Sequence, residues 1–336
     1  MIKFNLITML GPTATGKTRL AALLASAING EIISADSRQV YRGMDIGTGK
    51  DYDDYKTGNT SVPYHLIDIA EAGTHYNVYQ FRRDFANALR EITGRDKMPV
   101  LCGGTGLYIE AVLKDYDLNT TPPDDKLRKE LETIATTELT AILASMSITL
   151  NDSDAHNRRR LIRAIEKEIS EKGVSWQEAA NGTVTPPKAD HHSLVTSYLS
   201  PVTAPQVDHQ SPIQSIIFGI DPGREIRRNR ITERLRSRLE NGMIEEVKSL
   251  LQSGLSPEQL IYYGLEYRYI TLFVTGRINY NEMFTQLETA IHRFAKRQMT
   301  WFRRMENRGM KIHWIDGNLT EEVKLMKINE ILSLDI

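Results

Sequence analysis

Gly11-Pro12-Thr13-Ala14-Thr15-Gly16-Lys17-Thr18 fits the pattern G-x-x-x-x-G-K-[ST] at every fixed position. The apolar, β-rich run Lys3–Leu10 leads into it. Lys17–Ile28 leaves it with Leu20, Leu23, Leu24 and Ile28 at helical spacing, until Asn29-Gly30 stops the helix. A strand that turns through glycines into a helix gathers backbone N–H groups around one point. The helix N-terminus adds partial positive charge there, so the segment predicts a cradle for a phosphate chain. Lys17 is placed to reach phosphate oxygens, and the Thr18 hydroxyl is suited to Mg²⁺. The motif does not say whose phosphates are held.

Working outward, Glu31–Ala35 reads as a second strand, and Asn77 caps a helix that ends at Gly94. Met98–Cys102 is a third strand, turned by Gly103-Gly104 into a helix with Leu107, Ile109 and Val112. This alternation predicts an α/β fold: a P-loop NTPase-like core with a mainly parallel sheet. Beyond Asp115 the strands stop. Asp124–Ser147 and Asp154–Lys172 read as helical and charged, and Ala179–Gln214 as a long exposed connection rich in Pro, Ser, Thr and His. Strand character returns at Ser215–Ile220 and Lys311–Ile315, with helices over most of Arg224–Leu251, Tyr280–Met305 and Thr320–Leu332. The expected organisation is a core of residues 1–114 and 211–336, interrupted by a helical insertion domain, residues 115–210.

Composition narrows the class without choosing the function. In 336 residues, 40% are hydrophobic and 25% charged, which excludes wholesale disorder and collagen-like repeats. Lys and Arg total 42 against 43 Asp and Glu, so net charge alone predicts no acidic partner. The single cysteine, Cys102, excludes an internal disulfide and fits a reducing cytoplasm; closing an apolar strand, it reads as a small buried hydrophobe. No apolar run approaches the roughly 18 residues needed to span a bilayer, so no membrane association is expected. The eight histidines, His191 and His192 included, show no metal-site spacing.

After the second strand comes Asp36-Ser37-Arg38-Gln39-Val40-Tyr41-Arg42-Gly43-Met44-Asp45-Ile46-Gly47-Thr48-Gly49-Lys50, at the carboxyl end where α/β sheets bind ligands. From position alone Asp36 is a metal ligand or water-positioning group of a nucleoside triphosphatase, the base of a group-transfer enzyme, or a cap on the following turn. Arginines cluster three times: Arg158-Arg159-Arg160 with Arg163; Arg224 through Arg238; and Arg293 through Arg308. Such clusters present a basic groove to a nucleic-acid backbone, or form solvated helix faces. Tyr267, Tyr269 and Trp301 are candidates to stack on bases, and Phe302 reads as core.

Taken together these segments resemble the bacterial tRNA dimethylallyltransferases (tRNA isopentenyltransferases), of the type without a zinc finger. The resemblance rests on the loop Gly11–Thr18, Asp36-Ser37-x-Gln39-Val40-Tyr41-Arg42-Gly43-Met44-Asp45-Ile46-Gly47-Thr48-x-Lys50 and His65-Leu66-Ile67-Asp68-Ile69. It continues through Gly103-Gly104-Thr105-Gly106-Leu107-Tyr108, Arg163-Ala164-Ile165-Glu166 and Ala295-Lys296-Arg297-Gln298-Met299-Thr300-Trp301-Phe302-Arg303. These recur in the family's order from about residue 5 to 316. The resemblance implies Mg²⁺-dependent transfer of a dimethylallyl group from dimethylallyl diphosphate to the exocyclic N6 amine of the adenosine at tRNA position 37, beside the anticodon, in a cytoplasmic monomer. It implies that Gly11, Pro12, Thr13, Ala14, Thr15, Gly16, Lys17 and Thr18 hold the diphosphate, with Thr18 on the metal. Asp36 would be the base, Thr105 would stand beside it, and Arg230 would stabilise the departing diphosphate. Ser37, Arg38, Gln39, Arg159, Arg160, Leu161, Ile162 and Arg163 would contact the anticodon stem-loop. The chain departs from the family pattern at Arg38, where Met is usual. It departs again at Gly264-Leu265-Glu266-Tyr267, in place of Gly-Tyr-basic-Glu, and in its long connection. The competing expectation is a P-loop kinase or ATPase acting on a nucleotide or small molecule; an RNA-binding protein that has lost catalysis is a third.

Overall fold

Leu6–Leu10 (β1) is buried at all five residues, as is Gly30–Ser34 (β2), because both lie inside a parallel sheet covered on two faces. The computed structural model describes residues 4–58, 60–114, 124–146, 148, 157–172, 176 and 212–334. Among these, Tyr64–His65 (β3), Met98–Gly103 (β4), Ser215–Asp221 (β5) and Ile312–Asp316 (β6) complete a six-stranded sheet in the order β3-β2-β4-β1-β5-β6. Every pairing is parallel: Ile7 lies opposite Val100 on one side of β1 and Ile216 on the other. Side chains along β1 alternate between two apolar clusters. Leu6 and Leu10 join Phe81, Phe85, Tyr108 and Phe302 on one face; Ile7 and Met9 join Leu20, Leu24, Phe218 and Ile328 on the other.

The helices behind these clusters are Lys17–Ala27 (α1), Val78–Thr93 (α2) and Gly106–Leu113 (α3) in the first part of the chain. Asn77 starts α2 with a capping box, its side chain accepting from the N–H groups of Tyr79 and Gln80, and Gly94 closes it. In the second part of the chain lie Arg224–Glu240 (α7), Met243–Gln252 (α8), Pro257–Tyr262 (α9), Leu265–Val274 (α10), Tyr280–Asn307 (α11) and Glu321–Leu334 (α12). The helical stretch expected over Arg224–Leu251 forms as α7 and α8, divided at Gly242, whose φ of 98° starts α8. Helix α9 has a local start signal in Ser256-Pro257 with Gln259, a capping box with proline in the first turn, whereas α10 carries none of comparable strength. One is six residues long, and the other is rich in aromatic and β-branched residues that read equally well as strand. Strand β3 has two residues, too few for a period.

The chain divides into two units, Met1–Tyr116 with Val207–Ile336, and Asp117–Gln206. The second unit, in its described residues, packs Asp125–Leu131 (α4), Thr136–Ser145 (α5) and Arg158–Lys172 (α6) around Leu131, Leu139, Leu143, Leu161 and Ile165. Two helices replace the one expected over Asp124–Ser147, because the chain turns extended at Ala135. The irregular connection expected over Ala179–Gln214 lies outside the described residues up to 211, as do His191 and His192. No helix among the described residues is long and apolar enough to cross a membrane.

Candidate active site

The carboxyl ends of β1, β2 and β4 open on one cavity of about 540 Å³, which α7, α10 and α11 close from the other side. The loop after β1 supplies Thr13, Ala14, Thr15, Gly16, Lys17 and Thr18 to its wall, while Gly11 and Pro12 are buried beneath. Gly16 takes φ 77°, open to glycine, and Ala14 takes φ 63° despite its Cβ, at a cost of about 1–2 kcal/mol. Such strain is tolerated where it directs backbone N–H groups inward. Gly16 caps α1 without a side-chain acceptor, and the first turn of α1 carries no acid. The orphan N–H groups of that helix end therefore have no side-chain acceptor of their own and suit an anion. The loop is braced internally by Thr15 Oγ1 donating to the Pro12 carbonyl at 3.0 Å.

Asp36 stands at the end of β2, and its Oδ1 accepts the Arg38 N–H at 2.8 Å. The residue thus caps its own turn, one of the three readings open from sequence, and it also lines the cavity. Thr105, at the start of α3, accepts the Ser37 N–H on Oγ1 at 3.1 Å, which ties the β2 loop to the β4 loop. Gln39 spends its side chain on the same loop, donating to the Gly49 carbonyl at 2.9 Å and meeting the Ser34 hydroxyl at 3.1 Å. Arg38 lies over the Tyr262 ring, 5.7 Å from its centroid. Asp36, Ser37, Arg38, Gln39, Thr105 and Arg230 all line the cavity with the P-loop.

Two further features were not singled out from sequence. Gln298, buried on α11, accepts the Thr13 N–H at 3.0 Å and donates to the Gly104 carbonyl at 2.8 Å, clamping the P-loop to the β4–α3 turn. Arg234 and Arg238 accompany Arg230 into the cavity, whereas Arg224, Arg228 and Arg236 are exposed and Arg227 pairs with Asp221 at 2.5 Å. The run Arg224–Arg238 is therefore not one basic surface. Spacing of four residues was the available signal for the inward set.

The cavity's electrostatics are those of closely packed opposite charges. Burial above all pushes the Lys17 ammonium down from its usual range; Cys102 and Asp36 oppose this and Arg234 adds to it. Burial raises the Glu266 carboxyl, against the pull of Arg238 and Arg234, and burial with neighbouring Asp51 raises Asp54. Cys102 is buried as expected, but it also lines this cavity beside Thr18, with its thiol pushed up to about 11 chiefly by burial. That excludes a thiolate at neutral pH.

The remaining predicted residues sit in the helical unit. Arg159 and Arg160 are exposed on α6, whereas Leu161 and Ile162 are buried in its apolar cluster and hold the helix in place. Arg163 donates to Glu166 at 2.6 Å, alongside Arg128 at 2.9 Å and the Asp124 N–H at 2.6 Å. Tyr267, a candidate for base stacking, is instead buried with its hydroxyl on Glu246 at 2.6 Å, and Phe302 is core as expected. Trp301 packs on Gly106 beneath the Arg304 guanidinium. Among the described residues no three His, Cys, Asp or Glu side chains gather as a metal cage.

Comparison with known proteins agrees with this geometry. A family model described as IPP transferase matches residues 39–305, a span that begins after the P-loop and is therefore independent of it. The tRNA dimethylallyltransferase 2 of Phocaeicola vulgatus is 50% identical over 332 residues, 99% of each chain, and tRNA dimethylallyltransferase 1 of Parabacteroides distasonis is 48% identical over 333 residues, again 99% of each. Among solved structures, the full-length tRNA isopentenylpyrophosphate transferase of Bacillus halodurans superposes with a TM-score of 0.66 at 30% identity, over 99% of this chain and 97% of that one. With its P-loop, its acid after β2 and relatives matched end to end, this chain belongs to the IPP transferase family, that of the tRNA dimethylallyltransferases.

Proposed function

We propose that the protein transfers a dimethylallyl group from dimethylallyl diphosphate to the N6 amine of adenosine 37 in tRNA and releases diphosphate. The observation that carries this reading is the placement of the Asp36 carboxylate in the same cavity as an uncapped helix N-terminus and the three guanidiniums that α7 turns inward. In the reaction the N6–C1 bond forms as the C1–O bond of the donor breaks. Diphosphate leaves with the bonding electrons, and the amine's proton passes to Asp36. A purine amine is a weak nucleophile, so positioning it between carboxylate and allylic carbon supplies much of the rate. Charge developing on the leaving group meets Lys17, Arg230 and the backbone N–H groups of Gly11–Thr18. Thr105, already bonded to the Asp36 turn, stands beside the adenosine.

A divalent metal, Mg²⁺ in our reading, fits this site as a shared ion. Thr18 offers a hydroxyl oxygen, and Mg²⁺ in such sites is held by one or two protein oxygens together with substrate phosphates and water. When bound it would neutralise diphosphate charge.

The adenosine must leave its stack to enter the cavity, at about a few kcal/mol, less in a loop than in a duplex. In this reading Ser37, Arg38 and Gln39 receive it. Arg159, Arg160 and Arg163 meet the backbone of the anticodon stem-loop, with Leu161 and Ile162 acting by holding α6. Backbone contact with the anticodon stem-loop falls to the insertion, residues 115–210, and the target base and the chemistry to the core. We read the protein as a cytoplasmic monomer. Incubation with dimethylallyl diphosphate, Mg²⁺ and unmodified tRNA, followed by nucleoside mass analysis, tests the reading. A mass gain of one dimethylallyl unit on adenosine is expected. Hydrolysis or phosphoryl transfer from ATP with no prenylated nucleoside would overturn it in favour of a kinase or ATPase.

A further inference from the structure

Arg230, Arg234 and Arg238 recur every fourth residue, so one stripe of α7 delivers three guanidiniums to the cavity that holds Lys17. Left alone they would repel one another and rotate freely. While Arg230 donates to the Gly317 carbonyl at 3.4 Å, Asp51 counters both for Arg234 and Arg238. Its Oδ2 accepts from Arg234 Nη2 at 2.8 Å, and each of its oxygens lies 3.3 Å from Arg238 Nη2. The other arm of Arg234 faces the P-loop, where Nη1 donates to Thr13 Oγ1 at 3.3 Å. Thr13 is itself fixed by Gln298. Gly49, at φ +73°, makes room for this arrangement: a Cβ there would come within 2.6 Å of Arg234 Nη2 and overlap Arg238 Nη2. The loop Gly47–Asp51 is thus shaped around two guanidiniums, and Arg234 is held at both ends of its planar fork.

Deepening the proposed function, on which this inference rests, we propose that Asp51 is a positioning residue that aims Arg234 at the donor's diphosphate. As the C1–O bond breaks, negative charge grows on the oxygen that departs. A guanidinium already facing that point stabilises it without reorganising. Without Asp51, Arg234 keeps its charge but loses its orientation, since a long free side chain spreads over many rotamers. Asp51 is also an anion beside an anion site. Its removal makes the cavity more positive, so ground-state binding of the donor holds or tightens while the chemical step slows. A residue that only stabilised the loop would not separate those two effects.

The test is steady-state kinetics at saturating unmodified tRNA. Asp51→Asn is expected to lower kcat about tenfold, the scale of a misplaced transition-state contact, with KM for dimethylallyl diphosphate unchanged or lower. Calorimetric titration with inorganic diphosphate supplies a second reading. Asp51→Asn binds it at least as tightly as the wild type, and Arg234→Gln binds it about tenfold more weakly, the loss of one charged hydrogen-bonding group. Normal prenylation with wild-type kcat in Asp51→Asn overturns the positioning role alone. So does a rise in KM matched by a fall in melting temperature. Arg234-dependent binding of inorganic diphosphate by a protein that prenylates no tRNA would overturn the proposed function and support Arg234's place at the anion.

Discussion

Helices α7 and α6 are both written in arginine, and they spend it differently. On α7 the inward stripe enters a cavity where Asp51 and Thr13 fix the orientation of its guanidiniums, and the outward arginines stand in solvent. On α6 one buried carboxylate, Glu166, gathers Arg128 and Arg163, Arg158 closes the end of α4 on the Leu131 and Glu132 carbonyls, and Arg159 and Arg160 face out. Arginine density alone therefore says little about role. What separates the two helices is the identity of each guanidinium's partner: the P-loop and the acid facing it in one case, the unit's own scaffold and an open surface in the other.

The largest effect available is on the cavity side. Asp36→Ala is expected to lower turnover by about 10²–10⁴, the range of a lost general base, while tRNA affinity and inorganic diphosphate affinity stay near wild type. If tRNA binding fell and turnover per bound complex did not, Asp36 would belong with the recognition residues and the division between the helices would blur.

On the α6 side the expected loss is of stability. Burial alone would raise the Glu166 carboxyl, but Arg128, Arg163 and the Asp124 N–H hold it below its ordinary value of 4.5. A carboxyl lower in the fold than in the unfolded chain stabilises fully above the unfolded value. That contribution is lost as pH falls through the lower, folded value. Glu166→Gln should cost about 1–3 kcal/mol, since its partners are only partly shielded from water. Melting curves of wild type and variant should converge as the pH is lowered below that window; parallel curves would show that Glu166 carries no linked charge.

Arg159→Gln should have the mildest consequence and the most diagnostic one. Removing one phosphate contact reduces the slope of log affinity for tRNA against log salt by about 0.7–0.9, with inorganic diphosphate binding untouched. An unchanged slope would leave the exposed α6 arginines as solvated surface.

Much of this division was readable in advance and some was not. The P-loop, the strands β1, β2, β4 and β5, and the capped helix α2 all announce themselves through local pattern. The Asp36 segment was legible because it follows a strand. Gln298 stands in a recognisable motif, but nothing in a helical glutamine says that it will meet a loop 285 residues away. Arg234 and Arg238 belong to a basic run that the fold splits, and Tyr267, a candidate to stack on bases, is buried with its hydroxyl on Glu246. In each case the missing information was which way one face of a helix pointed.

By itself the sequence determined the form of the P-loop, the cradle we propose for the diphosphate. A glycine free to take positive φ, a helix start without a side-chain cap and a lysine in its first turn are properties of eight consecutive residues, set by sterics and backbone dipoles. Only the tertiary structure decided what surrounds that cradle. Asp51, Arg234, Gln298 and Thr105 reach it from four separate elements. Their convergence depends on the strand order and on which faces the sheet buries, and no spacing along the chain encodes that.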